Sequence, residues 1–467
     1  MLLSNSTKNI LFVLTAFFIL SIGWGCENCT GSTTGRDIEN EEQETRKKTG
    51  AGEVECPVEE SDSFYKERAI VQDGKVVGVD LSDLGEKQAV ALVRRHCKKI
   101  QTVVWAPTNP VYVGVIEELE QCSAETEGLS LDLGRTQIGN ESLKHLAGLS
   151  NLVALNLLHT KIKDDGLKYL SDLSNLKRLN LQGTQVGDRG LKHLSGLSNL
   201  EELNLDRTKI GDEGMKYLSG LSNLSVLSLR LTKVKDEGLK HISTLSNLKE
   251  LNLDGTKIGD EGMKHLSDLS NLRKLIFPQD RFGDEGLKHL SKLSNLRELN
   301  LMHSQVGDKG MKHLSGLINL RELYLSDKMG NEGLKYLSGL TNLRKLGLSK
   351  QTRDDGLKHL SGLINLESLS LNYSQIGDEG MKHLSGLINL RELDLSNTKV
   401  GDRGLKHLSG LTNLRELFLP ETKVGDEGLK HLSGLVNLRW LYIAKTRVTE
   451  QGAEQLKKKI CRVRIGL

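Results

Sequence analysis

Aromatic residues supply only 4% of this 467-residue chain. An enzyme folded into one compact body of that length would carry a more aromatic core, so the core must be built from other side chains. Cysteine is also scarce. The six cysteines (Cys26, Cys29, Cys56, Cys97, Cys122, Cys461) are too few for a disulfide scaffold and lie outside or at the margins of the repeated region below. An excess of charge of one sign is also lacking: 64 Lys and Arg against 61 Asp and Glu leave a net charge of +3, which gives no reason to expect nucleic-acid binding. Glycine, by contrast, is abundant at 48 residues, and the length suits two or three ordinary domains or one elongated array.

One apolar run stands out, ILFVLTAFFILSIGWG at positions 10–25, after Lys8. It is shorter than the roughly 20 residues that span a bilayer and ends in small residues, as an export signal does. Gly23 and Gly25 fit cleavage before Cys26. A cysteine there resembles the lipid-attachment site of bacterial lipoproteins, although Gly23 stands where that motif has leucine. Three fates stay open: lipidation of Cys26, plain secretion, or an uncleaved signal anchor. Positions 26–63 are charged, small and nearly free of large apolar residues, so they read as a disordered tether.

The strongest signal is periodic. Asn151, Asn175, Asn199, Asn223, Asn247, Asn271, Asn295 and Asn319 follow at intervals of 24, Asn342 and Asn365 at 23, then Asn389, Asn413 and Asn437 at 24 again. With a degenerate first copy near Glu127, this makes fourteen copies over 127–460. Each reads L-x-x-L-x-L-x-x-T-x-[IV]-G-D-x-G-[LM]-K-[HY]-L-S-x-L-[ST]-N. The pattern resembles the leucine-rich repeat, with Thr or Ser (Thr160, Thr184, Thr208, Thr256, Ser304, Thr398) where that family has Asn or Cys. It is most similar to bacterial arrays of the T-x-[IV]-x-D-x-G-L subtype, and its helical half is similar to cysteine-containing leucine-rich repeats. Hydroxyls at the Thr column are expected to bond neighbouring turns.

The spacing inside one unit sets its geometry. Leu251 and Leu253 are two apart and share one side of a strand, whereas Met263, Leu266 and Leu269 are three apart and share one helix face. One copy cannot close the apolar layer between strand and helix, but stacked copies can. The expected fold class is α/β: a right-handed leucine-rich-repeat solenoid, or horseshoe, with a parallel sheet on the concave side and short helices on the convex side. Fourteen strands at about 4.8 Å give roughly 65 Å of sheet. Open ends need caps. Positions 64–126 read as an N-terminal cap of strand, helix, strand and helix, in which Cys97 and Cys122 are placed to bridge in an exported chain. A polar helix and a last strand at 461–467 close the other end.

Most polar residues of the repeat have structural readings. Asp188, Asp212, Asp260, Asp378 and Asp426 precede helices and are expected as N-caps, each paired with a lysine four residues on, such as Lys264. The histidine column (His145, His193, His241, His265, His289, His313, His359, His383, His407, His431), replaced by Tyr169, Tyr217 and Tyr336, places one imidazole per copy. That does not assemble the four ligands of a zinc site, so no metal or cofactor is expected, and protonation is expected below about pH 6.5. There is no phosphate loop, G-x-S-x-G or H-E-x-x-H, and no catalytic residue set is evident.

Specificity is therefore expected where the repeat varies. The residue between the strand leucines is read as facing outward: Asp132, Asn156, Asn180, Asn204, Ser228 and Asn252, then Ile276, Asn300, Tyr324, Gly347, Ser370, Asp394, Phe418 and Tyr442. Pro278, Tyr373, Pro420 and Trp440 join that side, interleaved with arginines such as Arg439. Ile276, Pro278, Tyr324, Tyr373, Phe418, Arg439, Trp440 and Tyr442 are thus the candidate partner-binding residues. The expected function is that of an exported binding protein of a bacterial cell envelope. It recognises a protein or a surface glycan through its concave face, and meets membrane only through the N-terminal lipid or signal anchor. A structural envelope spacer and an intracellular ubiquitin-ligase-type substrate adaptor are the alternatives.

Overall fold

The computed structural model describes residues 69–72, 75–81, 86–96, 101–104, 113–122, 128–277 and 281–466. The export signal, Cys26, the tether, Pro278 and the Cys97–Cys122 bridge fall outside those residues or rest on one that does. Among the described residues no helix is long and apolar enough to cross a membrane.

One sheet of eighteen strands runs the length of the array. Strand β1 (Ala69–Gln72) pairs antiparallel with β2 (Lys75–Asp80). Strand β2 then pairs parallel with β3 (Thr102–Val104), and β3 with β4 (Leu129–Asp132). From there each copy adds one parallel strand, up to β17 (Trp440–Tyr442) and the closing β18 (Arg464–Gly466). Helices Glu86–His96 and Val113–Cys122 stand between the first strands, and Glu450–Lys459 precedes the last, at the positions read from the sequence. The register holds from copy to copy: Leu251 lies beside Leu275, and Leu275 beside Leu299. The product is a right-handed solenoid with the sheet concave and short α and 3₁₀ turns convex.

A strand of three residues gains little from its own hydrogen bonds, so burial must hold it. Leu251, Leu253, Met263, Leu266 and Leu269 are all at most 1% exposed. They belong to one apolar cluster continuous from Leu81 to Val463. In the irregular copy, Phe277 and Phe282 replace the usual aliphatic pair and stack at 4.3 Å between centroids.

The convex polar residues do different work from that expected. The aspartates are not N-caps. Gly259 occupies that position with no side-chain cap, and Asp260 is the first helical residue. Its Oδ1 accepts the backbone N–H of Gly283, one copy further on, at 2.7 Å. The same bond joins Asp236 to Gly259 and Asp378 to Gly401. The cause is space: a Cβ on Gly262 would lie 2.6 Å from Asp236 Oδ1, so only glycine lets consecutive copies approach this closely. Lys264 pairs with Glu261 at 3.0 Å, three residues back, and not with Asp260. The threonine hydroxyls do not join neighbouring turns either. Thr256 Oγ1 donates to the Leu253 carbonyl of its own copy at 2.6 Å. The side-chain bonds that recur between copies along the convex side and the loops are those of the aspartates and of the asparagines of the NL pairs, as where Asn271 Nδ2 donates to the Ser246 carbonyl at 2.9 Å.

A candidate interaction surface on the concave sheet

The inward alternation of Leu251 and Leu253 sends the strand residues on either side of Leu251 to the concave face. The second of these is not uniformly outward-facing. Asn180, Asn204, Ser228 and Asn252 are 1–6% exposed. Asn252 Oδ1 accepts the Asp254 N–H at 3.0 Å, closing a turn at the end of the strand. The early polar positions therefore shape the backbone.

Beside them lies a buried network. Asp206, 0% exposed, accepts the Ser228 hydroxyl at 2.5 Å and the Arg230 N–H at 2.8 Å through Oδ1. Arg230 Nε donates to Asp254 at 2.8 Å. Asp206 Oδ2 has no partner, and burial is the main cause pushing its carboxyl above the ordinary range. On the convex side, burial first and neighbouring lysines second push His193, His265, His313 and His383 below the ordinary imidazole range. Their protonation is thereby deferred to lower pH than a free imidazole's.

In later copies the outward positions become a surface. Phe418 and Tyr442 stack with centroids 4.5 Å apart and planes within 3°. Trp440 lies 6.3 Å from Tyr442, and the Arg464 guanidinium covers its ring at 4.9 Å. Two adjacent strands thus build one aromatic platform, covered by Arg464 from the next strand, with exposed Arg439 just before Trp440. Tyr324 stands apart from it, four strand steps away, or about 19 Å at the usual spacing. Its ring rests on Gly347, where a Cβ would lie 2.8 Å from Tyr324 Cδ1. Burial, then Glu322, raises its hydroxyl pKa. Ile276 is half-buried two strands earlier. Tyr373 is not on a strand: it turns the corner after one at φ 58°, is 57% exposed, and faces Lys350 at 6.0 Å.

Sequence reasoning missed the first strand position. A groove of about 510 Å³ crosses six copies, from Arg297 and Glu298 to Arg415 and Glu416. Glu298 pairs with Lys274 at 2.7 Å and Glu322 with Lys345 at 2.8 Å. Glu367 takes both Arg344 and Arg391, at 3.0 and 3.1 Å. Arg297, Arg321, Arg415 and Arg439 have no ion-pair partner among the described residues. The signal was available in the two-residue alternation, since Glu250 must share a side with Asn252. No group of three or more His, Cys, Asp or Glu able to hold a metal occurs among the described residues.

A family model described as a leucine-rich repeat region matches residues 159–410, more than half of the chain. The chain belongs to the leucine-rich repeat family. No curated protein matches the sequence. Among solved structures, this leucine-rich repeat array is similar to a leucine-rich repeat protein of Leptospira interrogans, at 22% identity and TM-score 0.61, covering 89% of this chain and all of that one. It is similar to an internalin of Listeria monocytogenes at 24% identity and TM-score 0.53, covering 64% of this chain and 82% of that one. The ectodomain of the Arabidopsis thaliana receptor kinase GASSHO1/SCHENGEN3, solved with Casparian strip integrity factor 2, matches at 16% identity and TM-score 0.51, covering 84% of this chain and 50% of that one. At these identities the shared property is the fold, and the leucine-rich repeat fold is a typical protein-interaction scaffold.

Proposed function

We propose that this leucine-rich repeat protein is exported to a bacterial cell envelope and binds a protein partner, or a surface glycan, through the C-terminal half of its concave face. The observation that carries the reading is the stacked platform of Phe418, Tyr442 and Trp440 beside the unpaired Arg415 and Arg439. Rigid aromatic surface with adjacent arginine is the composition of binding hot spots, because such groups lose little entropy on contact. At the positions equivalent to Phe418 and Tyr442, earlier copies offer Asn180, Asn204, Ser228 and Asn252, which are small, polar and buried. The partner is identified by crosslinking in the native cell, and its affinity is then measured on variants. Phe418→Ala with Tyr442→Ala is expected to weaken it about a hundredfold, with the fold retained by circular dichroism. Lys177→Ala with Glu201→Ala, on the early copies, is expected to change nothing. Equal losses from the two pairs would overturn the reading. Intact mass of the mature N-terminus tests export, the expected result being a chain that begins at an acylated Cys26.

A further inference from the structure

Thirteen copies carry one residue just before the Asn of their NL pair, on the loop that enters the strand. In the first seven it is always serine, Ser150 to Ser294. In the last six it becomes Ile318, Thr341, Ile364, Ile388, Thr412 and Val436. The four apolar ones are 53–67% exposed. Isolated apolar residues are ordinary on a surface, but a column in register is not.

The fold does not ask for this change. The backbone carbonyl at this position accepts the next copy's Asn Nδ2 at 2.9 Å whether the residue is Ser270 or Ile364. The serine copies are thus an internal control: the same backbone bond forms without the apolar side chain. One neighbouring column changes over the same stretch. Two residues earlier, the mixed Gly, Asp, Thr and Lys of the first seven copies become Gly in all of the last six. A Cβ on Gly316, Gly339, Gly386 or Gly410 would meet nothing within 4 Å, and none has positive φ, so packing does not require these glycines. Three residues later stand Arg321, Arg344, Glu367, Arg391, Arg415 and Arg439, a column that already holds Arg273 and Arg297. Glu367 pairs with Arg344 and Arg391, which leaves Arg321, Arg415 and Arg439 without an ion-pair partner among the described residues.

We propose that this lateral edge of the C-terminal half is a second docking surface, and that its occupant is an acidic amphipathic helix of a partner protein. The bare glycine row lets a backbone approach, Ile318, Ile364, Ile388 and Val436 accept apolar side chains, and the unpaired Arg321, Arg415 and Arg439 take carboxylates towards the two ends of that flank. Spacing selects a helix. Copies are about 4.8 Å apart at the sheet and diverge outward on a convex arc, towards the 5.4 Å pitch of an α-helix. Alternate side chains of an extended peptide repeat at about 6.8 Å and fall out of step. Five steps from Ile318 to Val436 span roughly 24 Å at the sheet spacing and about 27 Å at the helical pitch, or about 16–18 helical residues. The stripe is one side chain wide and holds no tryptophan or tyrosine, which suits a helix better than a lipid surface.

The probes are two labelled synthetic helices with the same row of leucines, one flanked by glutamate and the other by lysine. Fluorescence anisotropy measures their binding to the full chain. The glutamate helix is expected to bind saturably and the lysine helix at least about tenfold more weakly. A variant with Ile318→Ser, Ile364→Ser, Ile388→Ser and Val436→Ser copies the natural early repeats, so it is expected to fold, and to lose about tenfold or more in affinity for the glutamate helix. Phe418→Ala with Tyr442→Ala is expected to leave that affinity unchanged, which separates this edge from the concave face. Absence of saturable binding, equal binding of both helices, or full affinity in the serine variant overturns the proposal. So does binding of the wild type, but not the serine variant, to anionic vesicles in place of the helix. A dimer in sedimentation that the serine variant abolishes would assign the edge to a second copy instead.

Discussion

At the residue scale, the sharpest departure from the repeat is Asp206. Its carboxyl is enclosed, keeps one oxygen without a partner, and is raised above the ordinary carboxylate range chiefly by burial. A raised folded-state pKa means that the native chain holds its proton more tightly than the unfolded chain does. Stability therefore falls as pH rises from the unfolded value, 3.8, through the folded one. Asp206→Asn keeps an acceptor for Ser228 and the Arg230 N–H while removing the buried charge. It is expected to stabilise the protein by about 1 kcal/mol at pH 7, with the gain vanishing towards pH 4. Thermal unfolding across that range checks it. A variant less stable at pH 7 would show that attraction to Arg230 outweighs the cost of burial.

At the scale of the element, the convex turn is held by its first residue. Asp260 ties its own helix to the next copy through Gly283, and because the acceptor is charged the bond is of the stronger kind. Asp260→Ala is expected to cost about 2 kcal/mol in denaturant unfolding. Glu261→Ala and Lys264→Ala break only an exposed pair, and their midpoints should stay at the wild-type value. Equal effects from the three substitutions would return Asp260 to the role of a helix-dipole charge.

At the scale of the whole molecule, every copy touches only its neighbours, so cohesion is a sum of interfaces and not one shared core. Leu299, buried in mid-array between Leu275 and Leu323, is the place to test this. Leu299→Ala is expected to cost about 3 kcal/mol, given the cavity it leaves. Hydrogen exchange should show lost protection centred on residues 274–324 and fading over a few copies either way. A uniform loss from end to end would mean that the array unfolds as one unit. The same linear construction would let one half of the chain carry the proposed recognition surfaces while the other keeps a plain frame.

Much of this was legible from spacing alone. An apolar period of 24 residues, with alternation in the strand and triplets in the turn, admits one way to bury its leucines, and so determined the solenoid, its hand and its two faces. Spacing also located the aromatics of the concave side, because the two-residue alternation fixes the side to which Phe418, Trp440 and Tyr442 point. What only the tertiary structure decided was the partner of each polar group. Asp260, Thr256 and Asn252 all had sensible local readings, yet their hydrogen bonds are set by how closely the next copy stacks and by how each chain turns at the end of its strand. Whether Phe418, Tyr442 and Tyr324 form one surface or two was likewise a matter of distance across strands. Tyr324 lies several copies before Phe418, and Tyr442 one copy after it, and only the stacked sheet shows that the last two rings touch while Tyr324 stands four strands away.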